Sequence, residues 1–284
     1  MNASAWRPAG TAISLLWLAT MAGAGMVFLA QVLLARRLGP AEYGLFASSL
    51  ATVTVIAPLA GFGLSQFRLR VYGAEGWAGD RWLRPSFRFS TWTCALAIGG
   101  VVAWALFGPV VDADTRDTLL LLTPVIAGLF AVDLVGSKLR LEERHSALAL
   151  WQMLMSAGRL AVAATLLALP AANALGAALG YGVVALLIAA LAMPQLNAMW
   201  HGRMELQGHG PRPTSLEPLQ TPDVAQLWSQ AWAYGVAAIL YPVFFQVSTV
   251  LLKYLSSNED AGHYGVALGV MTAIYLFPAT VYHK

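Results

Sequence analysis

Residues 34–47 read LARRLGPAEYGLFA: an apolar run ends in two arginines, and a Gly-Pro turn leads into a second apolar run. Residues 251–267 read LLKYLSSNEDAGHYGVA and repeat this arrangement near the other end of the chain. Apolar runs of about 20 residues match the hydrocarbon core of a bilayer, which is about 30 Å thick. Each stretch therefore predicts the loop between two membrane-spanning helices.

The composition of the whole chain indicates a membrane protein. Hydrophobic residues make up 58% of the 284 residues and charged residues only 11%, whereas a soluble domain carries about 25% charge. Because the apolar runs are about twice as long as the strands of a membrane barrel, we expect an all-α polytopic fold of about eight transmembrane helices. The predicted spans are 11–35, 44–67, 90–111, 118–138, 147–169, 173–193, 227–252 and 263–284.

The basic residues indicate which side of the membrane each loop faces. With a cytoplasmic N-terminus, the cytoplasmic segments hold eleven Lys and Arg residues and the outer loops hold four. This positive-inside bias predicts a multi-pass protein whose N-terminus is cytoplasmic. The basic residues form no patch with interleaved aromatic residues, so we expect no nucleic-acid partner.

Residues 194–226 differ in composition from the rest of the chain. Prolines at 194, 211, 213, 218 and 222 disfavour a continuous helix, and the polar residues among them indicate contact with water. We predict a cytoplasmic linker over 194–226. It joins a first six-helix bundle, residues 1–193, to the start of a second bundle, residues 227–284.

The two opening stretches also indicate an internal repeat. Tyr43-Gly44 aligns with Tyr264-Gly265, and each pair follows an apolar helix that ends in Val-Leu-Leu before a basic residue. The copies lie six spans apart and so share one orientation, which predicts a direct repeat about an axis along the membrane normal. Chance recurrence in an apolar chain is the alternative. A six-span unit also predicts that the second bundle is incomplete at Lys284.

Each copy of the repeat carries a proline inside its second helix. Pro58 and Pro278 lie 14 and 13 residues after the aligned glycines. A proline removes one backbone hydrogen bond and bends a helix, and interrupted helices at matching positions mark substrate pathways in transporters. We therefore predict that Pro58 and Pro278 are hinge or kink positions.

The residues around the repeat resemble those of a known transporter family. RRLGPAEYGLFA (residues 36–47) and GFGLSQFRLR (61–70) resemble the first two helices of polysaccharide-export flippases. VSTVLLKYLSSNEDAGHYGVA (247–267) resembles their seventh helix and its outer loop. These flippases are lipid-linked oligosaccharide (O-antigen type) transporters of the multidrug/oligosaccharidyl-lipid/polysaccharide superfamily.

The resemblance implies two six-helix bundles that face a central cavity in the bacterial inner membrane. It implies alternating-access transport of an undecaprenyl-diphosphate-linked oligosaccharide from the cytoplasmic to the outer leaflet, for the synthesis of O-antigen, lipopolysaccharide or exopolysaccharide. The implied partners are the polyprenyl-diphosphate-linked glycan and membrane lipid, with a polysaccharide polymerase and a chain-length regulator as further candidates.

Arg159 lies inside the fifth predicted span. A charge near the middle of a bilayer costs about 2.5–3.5 kcal/mol on insertion scales, so an intramembrane charge indicates function. Counting from Ser146 at about 1.5 Å per residue places Arg159 about 20 Å into the membrane. We expect the side chain to face the cavity and to bind the diphosphate or an acidic sugar. A structural ion pair with Asp133 is the alternative.

Asp133 itself is a second candidate, in the fourth predicted span. It lies about 8 Å from the cytoplasmic end of that span at the same rise per residue. A role in the cavity or in proton coupling, snorkelling to the surface, and an ion pair with Lys138 all stay open for this carboxylate.

Four further basic residues are candidates for the cavity. Arg36 and Arg37 end the first span at its outer side, and adjacent helical residues point about 100° apart, so at most one of them faces the cavity squarely. Lys253 is their counterpart in the repeat. Arg68 ends the second span on the cytoplasmic side, where a polyprenyl diphosphate would enter. Interfacial anchoring is the alternative for each.

The sequence offers little enzyme chemistry. Asp112-Ala113-Asp114 has the two-carboxylate spacing of a metal-binding glycosyltransferase, but we favour an acidic turn in an outer loop. The five histidines lack metal-ligand spacing, and the sequence contains no phosphate-binding or hydrolase motif. We therefore predict a transporter rather than an enzyme, without metal or cofactor. The alternatives are a cation-coupled multidrug exporter of the same superfamily, a membrane glycan polymerase or ligase, and an inactive truncated product.

Overall fold

The computed structural model of the chain describes residues 6–108, 112–210, 212–213 and 220–282, and within them all side chains except those of 6–13, 241 and 273–282. Every regular element in these ranges is helical, and none of them is a strand. A short 3-10 helix, Gly76–Gly79, accompanies ten α-helices. These are α1 Trp6–Leu38, α2 Pro40–Gly61, α3 Leu64–Glu75, α4 Asp80–Phe107, α5 Ala113–Leu122, α6 Pro124–Leu141, α7 His145–Ala168, α8 Ala174–Trp200, α9 Val224–Leu255 and α10 Asn258–Tyr282.

The described helices include several that are long and apolar enough to cross a bilayer. Five continuous stretches meet this description, and α9 is a sixth if its two segments, which are bent by 43° at Pro242, count as one span. The chain is therefore a multi-pass membrane protein, which confirms the predicted fold class at this level. The five stretches are Ser14–Leu38, Pro40–Phe107, Ala113–Leu141, His145–Ala168 and Ala174–Trp200.

The stretch Pro40–Phe107 is too long for a single straight helix in a membrane. It contains 68 residues, and such a helix would be about 100 Å long at about 1.5 Å per residue. The backbone breaks at Phe62 and Gly63, which have φ of 45° and 65°, and again at Gly76, with φ of 58°. The second predicted span, 44–67, therefore ends at Gly61, because the left-handed conformation stops α2 there. Residues 64–67 belong to α3 instead.

The fourth predicted span, 118–138, lies within the single span-length stretch Ala113–Leu141. This stretch consists of α5 and α6, and Pro124 begins the second of these helices. The Asp112 carboxylate caps α5 by accepting a hydrogen bond of 2.7 Å from the backbone N–H of Thr115. This helix cap is the acidic turn that the sequence favours over a metal site at residues 112–114.

Small residues bring the helices of the first bundle close together. A Cβ atom added at Gly158 of α7 would lie 2.3 Å from Val184 of α8, and one added at Gly180 of α8 would lie 2.5 Å from Val162 of α7. At Gly182 the added atom would lie 2.4 Å from the carbonyl oxygen of Leu121 in α5. Close packing at small residues is the usual way in which membrane helices associate.

Part of the segment predicted as a linker packs against the first bundle. Helix α8 passes through Pro194 and ends at Trp200, and α9 begins at Val224. Between these helices, Arg212 forms an ion pair of 2.6 Å with Asp80, at the start of α4. Leu206 is buried beside Tyr72 in an apolar cluster. These contacts attach the beginning of the connection to α3 and α4.

We expect Gly182→Ala to destabilise the bundle, because its methyl group would overlap the Leu121 carbonyl oxygen of α5. Overpacking of this kind costs about 1–3 kcal/mol, so the melting temperature of the protein in detergent should fall by several degrees. The matched control is Gly100→Ala, where an added Cβ has no atom within 4 Å and alanine favours the helix. Equal melting temperatures for the two variants would contradict the close α5–α8 contact.

Candidate functional site

A central cavity of about 510 Å³ lies among α1, α2, α7, α8, α9 and α10. Its volume is within the range of about 300–1,000 Å³ that ligand sites occupy. The cavity is therefore shared between helices of the two predicted bundles. Its polar lining residues in the described chain are Thr20, Gln31, Tyr43, Thr54, Gln152, Ser156, Arg159, Tyr181, Gln246, Thr249 and Thr272.

The spacing of the lining residues explains why one face of each helix reaches the cavity. On α7 these residues are Gln152, Ser156 and Arg159, and steps of four and three residues keep side chains on one helical face. Gln246 and Thr249 have the same relation on α9. The apolar residues of these helices turn instead to lipid or to neighbouring helices.

Arg159 is the one charged side chain that lines this cavity in the described part of the chain. Its Nε has no hydrogen-bond partner among the residues that the structure describes, and its guanidinium carbon lies 5.5 Å from the centre of the Tyr181 ring. Tyr181 is buried and meets Phe46 of α2 edge-on at 5.0 Å. In the described part of the chain Arg159 thus lies against an aromatic ring rather than a carboxylate, and its Nε is a donor without a partner.

Asp133 does not form the ion pair with Arg159 that we considered from the sequence. It accepts a hydrogen bond from the Ser65 hydroxyl at the start of α3. Arg68 donates to the same hydroxyl at 3.5 Å, and its Nε donates to the Leu64 carbonyl at 3.2 Å. Asp133 and Arg68 therefore meet at the α2–α3 break, and neither lines the central cavity.

Lys138 is not the partner of Asp133 either. Its ammonium group forms an ion pair of 2.6 Å with Glu142, one turn further along the chain, and donates to Gln195 at 2.9 Å. Both members of the ion pair are buried. This contact joins α6 to the last turns of α8 and excludes the pairing of Lys138 with Asp133.

The structure separates the two arginines at the end of α1. Arg37 donates hydrogen bonds to the carbonyl oxygens of Leu166, Leu169 and Pro170, at the C-terminal end of α7. Arg36 is exposed. Neither arginine lines the central cavity, and Arg37 instead satisfies carbonyl groups that the end of a helix leaves free.

Lys253 also lies outside the cavity lining. Its ammonium group donates to the Thr115 hydroxyl and attracts the carboxylate of Asp112, the cap of α5. Burial alone would raise the pKa of Asp112, but hydrogen bonds from Thr115 and the Lys253 charge lower it overall. Lys253 therefore connects α9 to the N-terminal end of α5.

Of the two predicted hinge positions, the structure describes the side chain of one. Pro58 lies inside α2, and its carbonyl oxygen accepts the hydrogen bond from Phe62 that closes the helix. It therefore lies one turn before the α2–α3 break. Pro278 lies outside the described side chains.

Helix α2 touches the second bundle at both of its ends, through glycines that the sequence did not single out for this contact. At its start, a Cβ added at Gly44 would lie 1.6 Å from the Asn258 carbonyl oxygen, and one at Gly262 would lie 2.4 Å from the Pro40 carbonyl oxygen. The backbones of α2 and α10 are thus in direct contact. Only glycine allows so close an approach.

The other end of α2 makes an equally close contact, with α9. A Cβ added at Gly63 would lie 2.3 Å from the backbone of Tyr234, and one at Gly235 would lie 2.3 Å from the Phe62 ring. Phe62 also stacks on Trp228 at 5.0 Å. The cavity therefore lies between two tight contacts of α2 with the second bundle.

A second pocket, of about 660 Å³, is bounded by α2, α4 and α9. Its walls are mainly apolar and include Trp104 and Tyr254, whose indole N–H and hydroxyl bond each other at 3.1 Å. No charged side chain lines this pocket in the described chain. It offers nothing to an anion, and the central cavity is the better candidate site.

Comparison of the chain with protein-family models, curated proteins and solved structures finds no match. The resemblance to the flippases therefore stays a prediction.

Sequence reasoning placed Arg159 at the cavity but missed the support that Tyr181 gives it and the glycine contacts of α2. The spacing of residues 152, 156 and 159 was the available signal for the polar face of α7.

We expect Arg37→Gln to destabilise the protein and Arg36→Gln to have little effect. Hydrogen bonds to charged groups contribute about 1.5–3 kcal/mol each, and only Arg37 makes such bonds to the end of α7. The measurement is the melting temperature of each purified variant in detergent. If the two variants melt together, Arg37 does not hold the end of α7.

Proposed function

We propose that this chain is a membrane transporter of the flippase type. Its substrate is an undecaprenyl-diphosphate-linked oligosaccharide, which it moves from the cytoplasmic to the outer leaflet of the bacterial inner membrane for surface polysaccharide synthesis. The observation that carries the proposal is Arg159, a cation that lines a polar cavity and has no carboxylate partner among the described residues. Such a cation suits an anionic ligand.

The packing of the helices supports the proposed direct repeat. In that repeat α1 corresponds to α9 and α2 corresponds to α10. A two-fold axis that swaps the two copies exchanges α1 with α9 and α2 with α10. It therefore turns an α1–α10 contact into an α9–α2 contact and leaves an α2–α10 contact unchanged. All three contacts are present. They support an arrangement of a six-helix bundle, residues 1–193, followed by the first helices of a second bundle after the linker.

The two glycine contacts of α2 support alternating access. By the positive-inside orientation, the contact of Gly44 with Gly262 lies on the outer side of the cavity and the contact of Gly63 with Gly235 on the cytoplasmic side. Separation of one contact while the other stays closed opens the cavity to one side only. The contacts are backbone-to-backbone or backbone-to-ring, so a small rotation between the bundles breaks them.

The charge of the cavity favours a lipid-linked glycan over the cation of a multidrug exporter. A site for a cationic drug needs carboxylates, and the described lining contains none. The carboxylate that the sequence offered for this purpose, Asp133, lies instead at the α2–α3 break with Ser65 and Arg68. A polymerase and a chain-length regulator belong to this proposal as partners, because the flipped glycan is their substrate.

Deletion of the gene tests the proposed transport directly. We expect lipid-linked repeat units to accumulate on the cytoplasmic leaflet and surface glycan to fall. The wild-type chain and its Arg36→Gln variant should restore the surface glycan, and Arg159→Gln should restore less than a tenth of it, since the anionic group then lacks its cation. Leaflet position is read by labelling the glycan from outside in spheroplasts.

The outcomes separate this proposal from its alternatives. Normal surface glycan in the deletion strain would overturn the proposed transport. Accumulation that neither the wild-type chain nor any variant relieves would favour an inactive product. A cation-coupled exporter would instead leave the glycan unchanged and alter the resistance of the strain to cationic drugs.

We expect Gly44→Ile to hold the outer side of the cavity open, because its side chain cannot fit against the Asn258 carbonyl oxygen. The reporter is a Ser156→Cys substitution in the cavity lining, in a Cys94→Ala background that removes the one natural cysteine. An impermeant maleimide added outside should label this cysteine faster in Gly44→Ile than in the parent. Gly25→Ile, with no atom within 4 Å of an added Cβ, is the control and should label at the parent rate.

A further inference from the structure

The charge that the cavity offers suits one anionic group. Arg159 is its one charged lining residue in the described part of the chain. A guanidinium pairs with a carboxylate through two parallel hydrogen bonds, which satisfies both partners. A diphosphate diester carries two negative charges, so a single guanidinium would leave one of them uncompensated inside the bundle. The charge balance therefore matches a carboxylate better than a diphosphate.

The neutral polar groups around Arg159 favour a ligand that both donates and accepts hydrogen bonds. Gln31 of α1, Gln152 of α7 and Gln246 of α9 line the cavity. Each amide has a donor end and an acceptor end. The oxygens of a diphosphate only accept, and they would leave the amide carbonyls without partners. Sugar hydroxyls donate and accept, and so can satisfy both ends.

Thr249 adds an independent observation. Its side chain is 2% exposed, and its hydroxyl has no hydrogen-bond partner among the described residues, although it lines the same cavity. A buried hydroxyl without a partner is costly, and a ligand hydroxyl would satisfy it. Other threonines of the lining, such as Thr54, instead donate to the carbonyl groups of their own helices.

We infer that the cavity recognises an acidic sugar, whose carboxylate pairs with Arg159 and whose hydroxyls bond the glutamines and Thr249. The inference rests on the proposed function and names the part of the substrate that this site binds. The cavity volume of about 510 Å³ holds a sugar unit of the glycan rather than the whole carrier. The diphosphate and the polyprenyl chain then lie outside the cavity during transport.

Binding to the purified full chain in nanodiscs tests the inference, with three probes: methyl glucuronide, methyl glucoside and inorganic pyrophosphate. Isothermal titration should give the tightest binding for the glucuronide, at least tenfold tighter than for the glucoside. Arg159→Gln should weaken the glucuronide at least tenfold and leave the glucoside unchanged. Arg159→Lys should fall between these, because it keeps the charge but loses the two-bond geometry.

Gln152→Leu is the matched second variant. It removes an amide that bonds the sugar hydroxyls and leaves the charge of Arg159 unchanged. It should weaken both sugars by a similar factor, whereas Arg36→Gln should change none of the three affinities. A fold lost on mutation would remove binding of every probe, so selective loss of the glucuronide in Arg159→Gln distinguishes recognition from unfolding.

Three results would overturn the inference. Pyrophosphate bound more tightly than the glucuronide, with dependence on Arg159, would assign the cavity to the diphosphate and leave the proposed transport in place. Equal affinity for glucuronide and glucoside, or no binding of either, would remove the acidic sugar as ligand. The accumulation assay in the deletion strain does not depend on these titrations, so a failure of the proposed function is recognised separately.

Discussion

The bilayer offers no water to the groups inside the bundle, so each charged side chain there needs a partner within the protein. Lys138 obeys this constraint through Glu142 and Gln195. Arg68 obeys it in part: it bonds the Leu64 carbonyl and Ser65 and lies over the face of Phe87, but its Nη1 has no partner among the described residues. Arg159 lies beside the Tyr181 ring, and its Nε likewise has no partner in the described part of the chain. Of these three cations only Arg159 lines the central cavity, and this position makes it the candidate for binding a ligand.

The apolar runs predicted where the membrane helices lie, but the sequence did not predict where those helices break. The run through residues 44–67 carries Pro58 and Gly63 as local signals of a break, but the left-handed residue that ends α2 is Phe62, a poor residue for that backbone conformation. That conformation depends on contacts with α9, where Phe62 stacks on Trp228 and the chain approaches Gly63. Such contacts join residues far apart in the sequence, which local patterns do not record.

The sequence predicted only part of the candidate site, because the rest also depends on contacts between residues that are far apart in the chain. Depth in the membrane sufficed to single out Arg159, since it follows from counting along one helix. Which of Arg36 and Arg37 makes hydrogen bonds within the protein depends on the position of the end of α7. That end lies more than a hundred residues away in the chain. The glutamines of the lining were ambiguous, because interhelical bonds and ligand contacts predict the same residue type in an apolar run.

Helix α2 connects the candidate site to the glycine contacts on either side of the cavity. Phe46 packs on Tyr181, which holds Arg159, and it lies two residues from Gly44, where α2 meets the backbone of α10. A rotation that separates α2 from α10 therefore also moves the aromatic support of the guanidinium. In the proposed transporter, a ligand that pairs with Arg159 would stabilise whichever arrangement of α2 keeps Tyr181 in place, and its release would weaken that preference. The proposed alternating access therefore couples the occupancy of the cavity to the state of its outer contact through α2.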